Sequence, residues 1–135
     1  RRHPRLPLRQ PPERDLRPFR EPYGHDGVRT VAIGPDGTLW IGGLGGLLRA
    51  SSADPRRPGT WIDEADGLCP NGVATLAFGA GRTYAASRAA GVSVLEPGGQ
   101  VHCLDPARGL LGERVLALWP DGDALWVAVD GPPGL

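Results

Sequence analysis

The sequence predicts an all-β fold of repeated four-stranded antiparallel units, and three observations carry that prediction. Short apolar runs separated by glycine turns fill residues 28–50, and the same order of runs and turns returns from Val73 and again from Val115. The landmarks keep one period. Val28, Val73 and Val115 lie 45 and 42 residues apart, Trp40, Tyr84 and Trp126 lie 44 and 42 apart, and Gly67 and Gly109 lie 42 apart. No stretch sustains a helical apolar period, which removes the helical solenoids. Four short strands every 40–45 residues is the period of a β-propeller blade. On this reading residues 25–65 form one blade, 66–107 a second, and 108–135 part of a third.

Composition fits that class. The chain has 135 residues, a one-domain length, and its 21 glycines and 15 prolines exceed a quarter of the total. Without a collagen-like period, and with four tryptophans in or beside apolar runs, that content indicates many tight turns between short strands. The formal net charge is zero but uneven: residues 1–20 hold seven arginines against Glu13 and Asp15, and the remainder is acidic. Nucleic acid is not the expected partner. The basic tail interleaves arginine with proline, has no aromatic before Phe19, and belongs to a chain without lysine. No run approaches the roughly 18 apolar residues of a membrane span, and the first residues lack the apolar core of a signal peptide.

The elements follow in order. Residues 1–18 carry five prolines and read as an extended arm, because proline blocks helix and removes ladder donors. The arm region, 1–24, holds at residues 19–23 a candidate short edge strand, which would be the last strand of a preceding blade. Val28–Ile33 has apolar residues on both faces and is expected to be buried on both sides. Pro35, Asp36 and Gly37 then make a hairpin turn: proline presets φ, aspartate bonds its own backbone, and glycine accepts positive φ. Residues 39–41 and 47–50 are the second and third strands, joined through the turn 42–46, and residues 60–62 the fourth. The second unit places strands at 73–78, 83–86, 91–95 and 101–104. The third places them at 115–119 and 125–128, around the turn Asp121-Gly122-Asp123. Sheet faces at both ends of such a partial propeller are expected to expose apolar side chains.

At GPDGTLWIGGLGGLLR the pattern resembles the repeat of the two-component regulator propeller family, V-x-x-I-x-x-D-x-x-G-x-L-W-I-G-T-x-x-G-L-x-R with a D-G-L leader. Val28, Val31, Gly37, Leu39, Trp40, Ile41, Gly42, Gly46, Leu47 and Arg49 match it, and Asp66-Gly67-Leu68 stands at the leader. The second copy lacks the tryptophan and its following glycine, and the third keeps only Leu125-Trp126-Val127 of the central strand. The resemblance covers about residues 25–135. It implies a non-catalytic sensor segment of a bacterial signal-transduction protein, extracytoplasmic or periplasmic, with the remaining blades of the same propeller as neighbours. A small molecule or oligosaccharide would bind through loops on one propeller face, and a histidine kinase is a possible output domain of the longer protein. A fragment of a lyase-type or quinoprotein-type propeller enzyme, or a protein-interaction propeller, is the alternative.

Residue roles follow from recurrence. Trp40, Tyr84 and Trp126 share one repeat position, as do Gly46 and Gly91 at the start of third strands, while Gly37 serves the first hairpin. Recurrence in every unit marks a structural role, so these aromatics are expected to pack between blades. Trp119, read as replacing Phe78 and Ile33, is expected in the core. His25, Arg88 and Arg114 lie on loops and are the candidate ligand contacts. Asp36 and Gly37 approach the aspartate-box turn of sialidase-like propellers, but the two are adjacent and Gly34 stands at the serine position. No catalytic constellation, cofactor motif or metal cluster is legible. Cys69 and Cys103 match no zinc spacing; they are either buried thiols or a disulfide, which spacing does not decide.

Overall fold

The computed structural model describes residues 27–51, 59–70, 72–87, 91–105 and 114–129. They are all-β, in three antiparallel sheets. The first takes β1 (Val28–Ile33), β2 (Thr38–Gly43), β3 (Gly46–Ser51) and β4 (Thr60–Ile62) in chain order. The second takes β5 (Thr75–Gly79), β6 (Arg82–Ser87), β7 (Gly91–Leu95) and β8 (Val101–Leu104), also in chain order. The third is the hairpin of β9 (Val115–Asp121) and β10 (Ala124–Val129).

Alternation along each strand decides what each face meets. In the first sheet Trp40, Leu47 and Ile62 point one way and join Leu68, Val73, Ala85 and Leu95 in one core cluster, with Leu76, Phe78 and Val101 packed against it. That cluster is the seam between the first and second sheets. On the opposite side of the second sheet, Tyr84, Val92 and Val94 meet Leu118, Leu125 and Val127 of the third. The remaining side of the first sheet gathers Val28, Leu39, Ile41, Leu48 and Trp61. Burial of β1 is therefore one-sided, against the expectation: its residues alternate half-buried and exposed, and Val31 and Ile33 are 55% and 61% exposed. Both share the side of Ile41 and Leu39, their register partners, and stand at the open margin of a face whose centre, at Ile41 and Leu48, is buried.

The linker between the first two sheets is built rather than loose. Asp63 caps a short 3-10 turn, Glu64–Asp66: its carboxylate accepts from the Ala65 amide at 3.0 Å, and Asp66 accepts from the Asp63 amide at 3.0 Å. The chain then lies across the second sheet, where the Cys69 amide donates to Ser93 Oγ at 2.8 Å and Ser87 Oγ donates to the Pro70 carbonyl at 2.6 Å. Cys69 and Cys103 form a disulfide with Cα atoms 4.9 Å apart. It ties this linker to β8. The expected strand over 73–78 begins two residues later, at Thr75. Val73 instead donates its amide to the Gly43 carbonyl at 2.9 Å and buries its side chain over Gly42. A Cβ on Gly42 would stand 2.6 Å from that valine, so glycine at this point of β2 is what lets the linker cross.

The third sheet corrects the expectation for Trp119. Register pairs Ala32 with Trp40, Ala77 with Tyr84, and Trp119 with Trp126. Trp119 thus stands where Ala32 and Ala77 stand, and Pro120 is the counterpart of Ile33 and Phe78. One residue of offset turns a strand side chain to the other face, and Trp119 is 71% exposed.

Candidate functional site

The hairpin-turn ends of the first two sheets enclose a cleft of about 990 Å³. Its apolar floor belongs to the seam: Trp40, Ile62, Leu95 and Val101. Hydroxyls of Thr38, Ser51, Thr60 and Thr83 stand among its lining residues, and Arg49 supplies a cation. Pairing explains the arrangement. Trp40 is opposite Arg49 and Thr38 opposite Ser51, and Arg49 is opposite Thr60 on the other side. These register partners share the face that looks toward the second sheet. The Arg49 guanidinium lies 5.9 Å from the Trp40 ring centroid, a cation–π contact, and the Trp40 and Phe78 rings sit 6.4 Å apart across the seam.

The acidic groups at the rim have structural tasks. The Asp36 Oδ1 accepts from the Thr38 amide at 3.0 Å inside the hairpin turn. Hydrogen bonds from Thr38 hold this carboxyl below the usual carboxylate range, with Arg49 adding to the effect. Glu96 accepts from Arg82 Nε at 2.7 Å and its other oxygen lies 3.0 Å from His102 Nε2. The Arg82 hydrogen bond, followed by that of His102, holds the Glu96 carboxyl low as well. Arg82 also reaches toward Asp123, 3.9 Å away on the hairpin of the third sheet. Among the described residues no group of three or more His, Cys, Asp or Glu is placed to hold a metal ion, and no helix is long and apolar enough to cross a membrane.

His25 and Arg88 lie outside the described residues. Arg114 is exposed at the bend before β9 and does not line the cleft. No family model, curated protein or solved structure matches the chain.

The repeat positions are placed clearly. Trp40 and Tyr84 are 6% and 3% exposed, each facing the following sheet, whereas Trp126 is 69% exposed. Gly37, Gly46 and Gly91 take φ of 86°, 141° and 112°. The cleft and Arg49's place in it were not singled out from sequence. The available signal was the L-x-R ending of the repeat, which sets Arg49 directly across from Trp40 once the hairpin is in register.

Proposed function

We propose that this chain is part of a β-propeller serving as the non-catalytic sensor of a bacterial signal-transduction protein, and that the cleft between its first two sheets is where a small molecule or oligosaccharide binds. One observation carries the propeller reading: successive four-stranded antiparallel sheets stack with the same repeat aromatic, Trp40 and then Tyr84, buried between each sheet and the next. That is how blades bury their faces. The resemblance of residues 25–135 to the two-component regulator propeller repeat supplies the sensory role, and such a role belongs to a site on the fold rather than to the fold.

The site chemistry favours binding over turnover. Asp36, Asp66 and Glu96 are already engaged in turn, cap and ion-pair contacts, while the cleft lining offers a ligand Thr60 and Thr83, an apolar floor and the exposed Arg49. The Cys69–Cys103 disulfide supports an oxidising, extracytoplasmic compartment. A thermal-shift screen against soluble oligosaccharides and small organic acids, with mass spectrometry of each ligand afterwards, tests the reading. A saturable rise in Tm, lost in Arg49→Ala, with ligand mass unchanged is the expected result. Conversion of the ligand would move the protein to the propeller enzymes.

A further inference from the structure

Three Asp-Gly pairs stand at turns among the described residues: Asp36-Gly37 in the β1–β2 hairpin, Asp66-Gly67 at the end of the 3-10 turn, and Asp121-Gly122 in the β9–β10 hairpin. Aspartate before glycine is open to one uncatalysed reaction, because no side chain on glycine shields its amide nitrogen from the aspartate Cγ. The three glycines take φ of 86°, 110° and 58°, all in the left-handed region, so backbone freedom does not separate the pairs. Hydrogen bonding does.

In the first pair both reacting groups are held. Asp36 Oδ1 accepts from the Thr38 amide at 3.0 Å, and the Gly37 amide donates to the Gly34 carbonyl at 3.0 Å. The bonds from Thr38 also keep the Asp36 carboxyl below the usual carboxylate range, in the anionic form that a nucleophile attacks least readily. The second pair is held likewise: Asp66 Oδ2 accepts from the Asp63 amide at 3.0 Å, and the Gly67 amide donates to the Glu64 carbonyl at 3.1 Å. That turn is also crowded, since a Cβ on Gly67 would stand 2.5 Å from the Val101 carbonyl oxygen. The third pair has neither restraint. Asp121 and Gly122 are exposed, and nothing stands within 4 Å of a Cβ at Gly122. Among the described residues the Gly122 amide makes no backbone hydrogen bond, and the Asp121 carboxylate makes no hydrogen bond or ion pair.

We infer that Asp121 is a covalent modification site, the place where the folded chain converts aspartate to isoaspartate, while the turn hydrogen bonds protect Asp36 and Asp66. The Gly122 nitrogen attacks Asp121 Cγ and forms an N–Cγ bond. The carboxyl oxygen leaves as water with the amide proton, and a five-membered succinimide results. Water then opens the ring. Attack at Cγ returns aspartate, whereas attack at the former main-chain carbonyl leaves the chain running through Cγ. Water is the sole co-reactant, and no electrons are exchanged. Asp121 pairs with Ala124 and closes the hairpin; isoaspartate adds one carbon to the main chain there and moves that closing pair out of register. This chemistry is independent of what the cleft binds.

Peptide mapping of the chain stored at neutral pH tests it, read with an endoprotease that cuts before aspartate but not before isoaspartate. Isoaspartate should accumulate at Asp121 about tenfold or more faster than at Asp36 or Asp66, the rate consequence of a hydrogen bond that must first break. In urea, where the turns are lost, the three pairs should react at similar rates. Stored protein should also exchange amide hydrogens faster in β9 and β10 than fresh protein. Asp121→Glu, whose longer side chain disfavours the five-membered ring, should show no such change. Isoaspartate appearing equally or sooner at Asp36 or Asp66 in the folded chain would overturn the inference. A preference for Asp121 that persists undiminished in urea would overturn it too, because local sequence rather than the folded turns would then set the rate.

Discussion

At the residue scale, equivalent positions have unequal consequences because their surroundings differ. Trp40 and Trp126 share a place in the repeat, yet one is 6% and the other 69% exposed. Trp40→Ala should cost about 3–5 kcal/mol, since a large side chain leaves a packed seam. Trp126→Ala should cost under about 1 kcal/mol in dilute solution. Urea denaturation followed by far-ultraviolet circular dichroism checks both. The glycines divide similarly. Gly91 combines a φ of 112° with the Leu104 carbonyl standing where a Cβ would go, and Gly46 repeats this against the Ile62 carbonyl at 2.5 Å. Gly37 has positive φ but open space around it. Alanine at Gly37 should therefore cost about 1–2 kcal/mol, from the left-handed backbone alone. Alanine at Gly91 should cost more, because strand β8 must also shift. Equal losses of stability in the two variants would refute this distinction.

At the element scale, a disulfide and an ion-paired carboxylate hold the second sheet to its surroundings. Cys69–Cys103 closes a loop of sequence separation 34 between the linker and β8. Cys103→Ser should lower stability by about 2–4 kcal/mol, read as a lower urea midpoint with little change for the unmodified chain when no reductant is present. Glu96 is held low by Arg82 and then His102, so its folded-state pKa is depressed. A depressed carboxylate contributes stability above its unfolded value, about 4.3, and loses it as pH falls through the folded value. Glu96→Gln should therefore flatten the decline of Tm below about pH 4.3 while Tm changes only slightly at pH 7, where the pair is partly solvent-exposed and screened. A Tm profile between neutral and acidic pH that is identical in the two proteins would refute the assignment.

At the scale of the whole molecule, stability is graded along the stack. The second sheet is covered on both sides, and its strands β6 and β7 are almost wholly buried. The third sheet has two described strands and, among the described residues, packs on one side. A two-stranded ribbon is marginal unless something covers it. Amides of β9 and β10 should exchange with solvent faster than those of β6 and β7, by about tenfold or more, in hydrogen-exchange mass spectrometry of dilute protein. Uniform protection across the three sheets would show that the described seams do not set local stability.

Much of this was legible in the residues themselves. Turn chemistry is local: Pro35-Asp36-Gly37 predicts a hairpin whose aspartate bonds the backbone two residues on, and the Thr38 amide does donate to Asp36. Strand spacing is local too, which is why all four strands of the first sheet and the last two of the second stand close to their expected places. Three matters were settled elsewhere, by residues distant in the chain. The register of β9 on β10, set by pairing rather than by composition, turned Trp119 outward. The pairing of Cys69 with Cys103 depended on a linker folding back across the second sheet. The cleft exists only where the turn ends of two sheets come together, bringing Arg49 and Trp40 beside Leu95 and Val101. Periodicity reports which residues repeat; contact with the next sheet decides which of those repeats are buried.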